Sequence, residues 1–378
     1  MKIVFISNFY NYHQAALTEA LAKYTDNNFW FIETTPMNEQ RKSMGWNSQK
    51  KPFVLSAYDS AERNKCAEII YKADAVIVGS APKWLIPKGF SKNQLLFKYS
   101  ERLFKKRITD PSTLMNAVQS IIEWRKYKNA YLLAASAYAP GDYARIGLFR
   151  GKAFRWGYFP ETIIYDDVDT LLEEKNSAEL IWCGRFIDWK HPEVPIEIAR
   201  LLKRDGYKFH LRMIGDGQLK QKIKEDIIRN KLENEVELTG NVTPDKVRQY
   251  MERAMIFMFT SDKQEGWGVV LNEAMNSCCA VVANQAIGSV PFLFENQSVG
   301  LSYHDGDIND LYIKVRTLID DVEKARQLGR NAYTTLREKW NADVAAQRIV
   351  NVIEGLSEGR IMINEYRTGP CSQATICK

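Results

Sequence analysis

Two cations leave one short stretch, Arg185 and Lys190 in GRFIDWK, and two carboxylates punctuate another, Glu265 and Glu273 in QEGWGVVLNEAM. A guanidinium offers a bidentate fork and an ammonium a point charge, so the pair on one turn suits a diphosphate; pairing with surface acids is the plainer reading. Gly266, Trp267, Gly268 and Val269 open a helical pattern, where backbone N–H groups freed of side-chain bulk make a second anion site. Glu265 precedes that helix and Glu273 lies two turns in, too far apart to share a proton or a metal. Each can accept hydroxyls from a different sugar, although Glu265 also suits a helix dipole with no ligand at all. Polar turns follow apolar runs again at Gly215 and Asp216 and at Gly240, Asn241 and Val242.

Those turns need strands behind them. KIVFIS, FWFIE at 29–33, AVIVGS at 75–80, LLFKYS at 95–100 and AYLLAAS at 130–136 alternate with helical or polar segments in the first half. The second half repeats the rhythm with ELIWCGR, KFHLRMIGDG, VELTGNV, MIFMFTS and AVVANQ. Continuous apolar runs separated by helices predict two successive α/β domains, each a doubly wound parallel sheet covered on both faces. Ligands in such sheets bind at the carboxyl ends of the strands. The proline and acids of 158–176 mark a connection between domains, expected as residues 1–160, a connector at 161–177, a domain at 178–345 and a helix and tail at 346–378 returning to the first domain.

A chain of 378 residues with 45% hydrophobic content is globular and long enough for two cores. Its six cysteines show no metal spacing, and three of them lie in apolar runs, as expected of buried thiols in a reducing compartment. MKIVFISNFY is too short an apolar stretch for a signal peptide core and no run approaches a membrane span, so the expected location is the cytoplasm. Charge is uneven: of 52 Lys+Arg and 46 Asp+Glu, residues 1–160 hold 24 and 12, leaving 28 and 34 for the rest. A basic first half suits an anionic partner, and a merely solvated basic face is the plain alternative. Trp84, Leu85, Ile86, Phe90, Leu96 and Phe97, interleaved with Lys83, Lys88, Lys92 and Lys98, nominate an anionic membrane surface.

The E-x7-E of EGWGVVLNE, the G-R-x4-K of GRFIDWK and the segments IGSVPFL and VGLSYHDGD resemble family 4 of the retaining glycosyltransferases, of GT-B fold, from about Leu180 to Leu311. The resemblance implies two Rossmann-like domains facing across a cleft, a nucleotide-sugar donor and a saccharide or lipid-linked acceptor. It assigns Arg185 and Lys190 to the donor diphosphate, Glu273 to the ribose and Glu265 to the transferred sugar. The amides around Trp267 and Gly268 would meet phosphate or sugar, with Ile214 to Asp216 and Gly240 to Val242 against base and ribose. It implies no bound cofactor or essential metal. Nucleic acid is not an expected partner.

The first half departs from the family pattern. Its glycine-rich turn is replaced by SNFYNYHQ, so the side chains of Asn8, Tyr10 and His13 must supply the contacts, although a histidine packed at a helix start is equally ordinary. Where relatives carry a His-Asp at a strand end this chain has KYSERLFKK, with Glu101 a candidate to orient the acceptor hydroxyl or simply to pair with Lys105. Competing functions are a dehydrogenase, which would need the absent GxGxxG, a sugar-nucleotide epimerase of the same fold, and a solute-binding protein.

Overall fold

Strand runs buried on both faces build two parallel sheets. The first holds β1 (Ile3–Ser7), β2 (Phe29–Glu33), β3 (Val54–Ser56), β4 (Ala75–Val78), β5 (Leu95–Ser100), β6 (Ala130–Ala134) and β7 (Ala153–Arg155), in the order β3-β2-β1-β4-β5-β6-β7. The second holds β8 (Asn176–Cys183), β9 (His210–Ile214), β10 (Val236–Gly240), β11 (Ala254–Phe259), β12 (Ala280–Asn284) and β13 (Leu301–Tyr303), in the order β10-β9-β8-β11-β12-β13. The computed structural model describes residues 1–39, 50–106, 109–295 and 297–377. They form two units, Met1–Glu161 with Trp340–Lys378, and Thr162–Lys339.

These bounds move the expected ones. Residues 162–177 are no free connector: helix Val168–Glu173, capped by Asp167, and the first residues of β8 belong to the second unit, which ends at Lys339 rather than 345. The chain from Trp340 onward belongs to the first unit. The Trp340 ring stacks on Phe159 at 6.3 Å, and helix Ala342–Ser357 packs on helix Tyr12–Tyr24, where Tyr24 donates to Asp343 at 2.7 Å. Gln373 then bridges Phe154 antiparallel at the β7 edge.

Strand order locates the sites. In each sheet the winding reverses once, between β1 and β4 and between β8 and β11, and loops leaving such neighbours in opposite directions open a crevice at their carboxyl ends. Arg185 and Lys190 follow β8, and Glu265 follows β11.

The apolar-cationic stripe at 83–98 divides between core and surface: Lys83, Lys88 and Lys92 are exposed, while most of its apolar members are not. Leu85, Leu96 and Phe97 are buried, the last two inside β5, and of the apolar group only Trp84 is exposed. Lys98 itself is half-buried, its ammonium 5.6 Å from the centre of the Trp124 ring, and desolvation lowers its pKa. A strand buried on both faces cannot offer one of them to lipid.

Lys175 is a buried lysine, with its pKa lowered mainly by desolvation. Its ammonium donates to the carbonyls of Met251 at 2.8 Å, Glu252 at 3.0 Å and Ala254 at 2.9 Å, the orphaned end of helix Pro244–Arg253. Lys175→Met strips all three acceptors and is expected to lower stability by about 2–3 kcal/mol. Urea unfolding followed by circular dichroism checks this; an unchanged midpoint refutes the capping role.

Candidate functional site

The loop after β8 is clipped on two sides. Toward β9, the Gly184 amide donates to Ile214 O at 3.0 Å and Phe186 N to Asp216 O at 2.9 Å. An alanine at 215 would set its Cβ 2.0 Å from Gly184 O, so only glycine lets the two turns approach this closely. Toward β11, Thr260 Oγ1 donates to Lys190 O at 2.8 Å while accepting Trp182 Nε1 at 2.8 Å, and Asp262 N donates to Trp189 O at 3.0 Å. Between the clips a single 3-10 turn, Asp188–Lys190, aims the lysine.

Lys190 Nζ meets Glu265 Oε2 in a direct ion pair, both side chains nearly buried. Ser261 Oγ donates to the same carboxylate oxygen at 3.1 Å, and the ammonium lies 4.7 Å from the centre of the Trp189 ring. Arg185 is exposed, its guanidinium 5.6 Å from the centre of the same Trp189 ring. The sequence candidates for diphosphate and sugar thus include two groups that already hold one another. An anion entering here must share or replace Glu265 as the partner of Lys190.

Gly268, not Gly266, caps the following helix, Val269–Asn276, in the left-handed region at φ +79°. A Cβ there would stand 2.3 Å from the Phe259 ring, which closes the position to other residues. The helix therefore begins later than its sequence pattern predicts, and Glu273 lies just over one turn in rather than two. Trp267 is fully buried with Nε1 donating to Asn272 at 2.8 Å, so its ring anchors the turn and only its backbone is left for a ligand. Glu273 is half-buried, and desolvation pushes its carboxyl up to about 7 against the opposing charge of Arg248. Beside it, burial lifts the Cys183 thiol to about 12.

At the next turns, Gly215 N donates to Gly240 O at 2.9 Å, which draws the ends of β9 and β10 together. Asp216 is engaged by Lys220 and by the Gly217 amide at 2.7 Å, and these partners hold its carboxyl below the usual range. Asn241 is exposed and Val242 half-buried. Sequence reasoning missed Thr260 and Ser261, the positioning groups of Lys190 and Glu265. Their signal was a run of hydroxyl and acid residues ending a continuous apolar strand. Among the described residues no three His, Cys, Asp or Glu side chains gather as a metal cluster.

The first unit's candidates fare differently. Tyr10 is core: its ring packs 5.4 Å from Phe31, and its amide is taken by Glu33 Oε2 at 3.1 Å, which withdraws it as a ligand contact. Asn8 is exposed and accepts from the Phe9 amide at 3.0 Å. His13 lies 3.8 Å from the Tyr12 ring, and burial lowers its pKa to about 4, so it is neutral at physiological pH and offers no ionic grip on phosphate. Glu101 does pair with Lys105, outside any helix, and also accepts from Tyr158 Oη at 3.2 Å.

Residues 166–335 match the family model described as Glycosyl transferases group 1. An uncharacterized glycosyltransferase of Methanocaldococcus jannaschii is 26% identical over 198 residues, 52% of this chain and 54% of that protein. The amylovoran biosynthesis glycosyltransferase AmsK of Erwinia amylovora is 28% identical over 179 residues, 46% of this chain and 44% of that one. The chain therefore spans about half the length of these curated relatives. Among solved structures, Anabaena HepE in complex with UDP aligns with a TM-score of 0.68 over 94% of this chain and 100% of its own, at 16% identity. That likeness is one of fold, the two parallel-sheet Rossmann-like domains of GT-B proteins.

Burial of Glu273 has a pH signature. Its folded pKa, about 7, lies above the usual 4.5, so between those values the folded chain holds a proton that the unfolded chain releases. Stability must then fall as pH rises through that window, by up to about 3 kcal/mol. Glu273→Gln is expected to flatten this slope and to be the more stable protein at pH 8. Unfolding midpoints at pH 5 and 8 measure it; parallel pH profiles for the two proteins would show that Glu273 is not the group.

Proposed function

We propose, from the premise that residues 166–335 are a Glycosyl transferases group 1 domain, that the chain moves a sugar from a nucleotide-sugar to a saccharide or lipid-linked saccharide acceptor in polysaccharide synthesis, retaining the anomeric configuration. The observation that carries this reading is the buried Lys190–Glu265 pair beside the Gly268 helix start, at the switch point of the second sheet. The donor diphosphate takes Lys190 and Arg185 as its cations and the amides of Gly268 and Val269 as donors. Glu265, released from Lys190, accepts a hydroxyl of the transferred sugar, and Glu273 accepts from the ribose.

Charge then drives the reaction. As the bond from the anomeric carbon to the diphosphate oxygen breaks, the sugar becomes oxocarbenium-like and negative charge grows on the leaving phosphate. Arg185, Lys190 and the helix amides stabilise that charge more than they stabilise the bound donor, which is what lowers a barrier. The acceptor oxygen attacks on the face the phosphate leaves, and its proton passes to a leaving-group oxygen. No side-chain nucleophile and no resident metal enters this scheme. Glu101 is assigned to the acceptor side, on the basic first unit, which we assign to an anionic membrane surface.

Incubation with a panel of nucleotide-sugars, with and without saccharide acceptors, tests the reading, and NMR of the product anomer tests retention. Acceptor-free isomerisation of the donor would overturn it in favour of an epimerase. Arg185→Ala, at an exposed position that leaves the fold alone, is expected to lower kcat by roughly two to three powers of ten. Lys190→Ala would strand a buried carboxylate at a cost of about 3–5 kcal/mol, so the informative variant is the double Lys190→Gln, Glu265→Gln. It is expected to fold normally and lose turnover as severely; wild-type kcat in a folded double variant would refute the assignment.

A further inference from the structure

Helix Pro111–Trp124, between β5 and β6, carries apolar residues on two faces. Thr113, Ala117 and Trp124 point inward, with the Trp124 ring 5.7 Å from that of Phe149. Asp110 caps its start, accepting from Ser112 N at 2.9 Å, so the helix is firmly seated. Yet Leu114, Met115, Val118 and Ile122 are 50%, 69%, 55% and 66% exposed. At 3.6 residues per turn these four fall within an arc of about 100°, separate from the inward face, and the polar Ser112, Asn116, Gln119 and Glu123 occupy the remainder. No other element among the described residues gathers its exposed large apolar side chains this way; the rest are scattered. A contiguous apolar face on a water-facing surface marks a docking site.

We infer that this helix lies flat on an anionic lipid bilayer and is the element by which the first unit meets the membrane. Charge selects that occupant over a protein partner. Ahead of the helix, Arg102, Lys105 and Lys106 are engaged by Asp142, Glu101 and Asp110, so the cations that set the charge of this face are those at the helix's C-terminal end. Arg125, exposed at the helix C-cap, continues the apolar arc, and Lys126 and Lys128 beside it are exposed too. Apolar side chains reaching the acyl boundary beneath a row of cations at headgroup level are the signature of an interfacial helix. A stretch of 14 residues, about 21 Å long, lies on a bilayer without spanning it, and no helix among the described residues is long and apolar enough to cross one. The inference deepens the membrane assignment made above and replaces the 83–98 stripe as its basis.

Vesicle sedimentation of the whole chain tests it without donor or acceptor, so its failure is separate from failure of the transfer reading. Binding is expected to phosphatidylglycerol-containing vesicles at low salt, weakened by high salt and absent from pure phosphatidylcholine. Val118→Glu with Ile122→Glu, both at exposed positions, is expected to weaken binding at least about tenfold because two apolar side chains no longer leave water. Arg125→Glu should weaken it and reduce the salt dependence. The Met115→Trp variant should be quenched by brominated lipid more than wild type. Wild type that ignores anionic vesicles, or a double glutamate variant that binds them unchanged, overturns the proposal. So does a concentration-dependent dimer that the same variant dissolves while vesicle binding is absent, which would make the face a contact between copies of the chain.

Discussion

The second unit is organised around a lysine and a glutamate that neither could tolerate alone. Enclosing a single ammonium or carboxylate costs several kcal/mol, and mutual attraction offsets that cost only when geometry is held closely. The structure holds it from both strands: Thr260 fixes the backbone of Lys190, Ser261 donates to Glu265, and the turn between β8 and the 3-10 segment is locked against Gly215. The same pairing means that any anion binding at Lys190 competes with Glu265 for it.

That constraint explains the placement of the glycines. Gly215 and Gly268 stand where a side chain would collide with Gly184 O and the Phe259 ring, respectively. They bring backbone amides and the ion pair into one small volume. Their role is steric, and it is distinct from the general looseness of a glycine-rich loop, because the turns around them are tightly hydrogen-bonded.

Sequence periodicity revealed the strands that are long and apolar. β2 and β5 occupy the runs FWFIE and LLFKYS as read. It missed β3, β7 and β13, three residues each, which are strands only because neighbouring strands offer them hydrogen bonds. Arg185, Lys190, Glu265 and Glu273 could be nominated because polar residues stand out after apolar strands. The pairing of Lys190 with Glu265 was not, since it joins groups 75 positions apart. Tyr10 and the apolar part of the 83–98 stripe misled for one reason: aromatic and apolar residues next to a strand look like a surface until the sheet buries them. Lys98 stands between surface and core, half-buried with its ammonium over the Trp124 ring.

The first unit is built from two distant pieces of chain, and this orders events during synthesis. When a ribosome has released the first seven strands, helix Tyr12–Tyr24 still lacks Ala342–Ser357, Phe159 lacks Trp340, and the β7 edge lacks Gln373. The second unit, made of one continuous stretch, can close while the first waits with apolar surface uncovered. Non-local closure of this kind is slow and exposes collapsed intermediates to aggregation. The nascent chain thus has an interval, set by translation speed, in which that surface is uncovered.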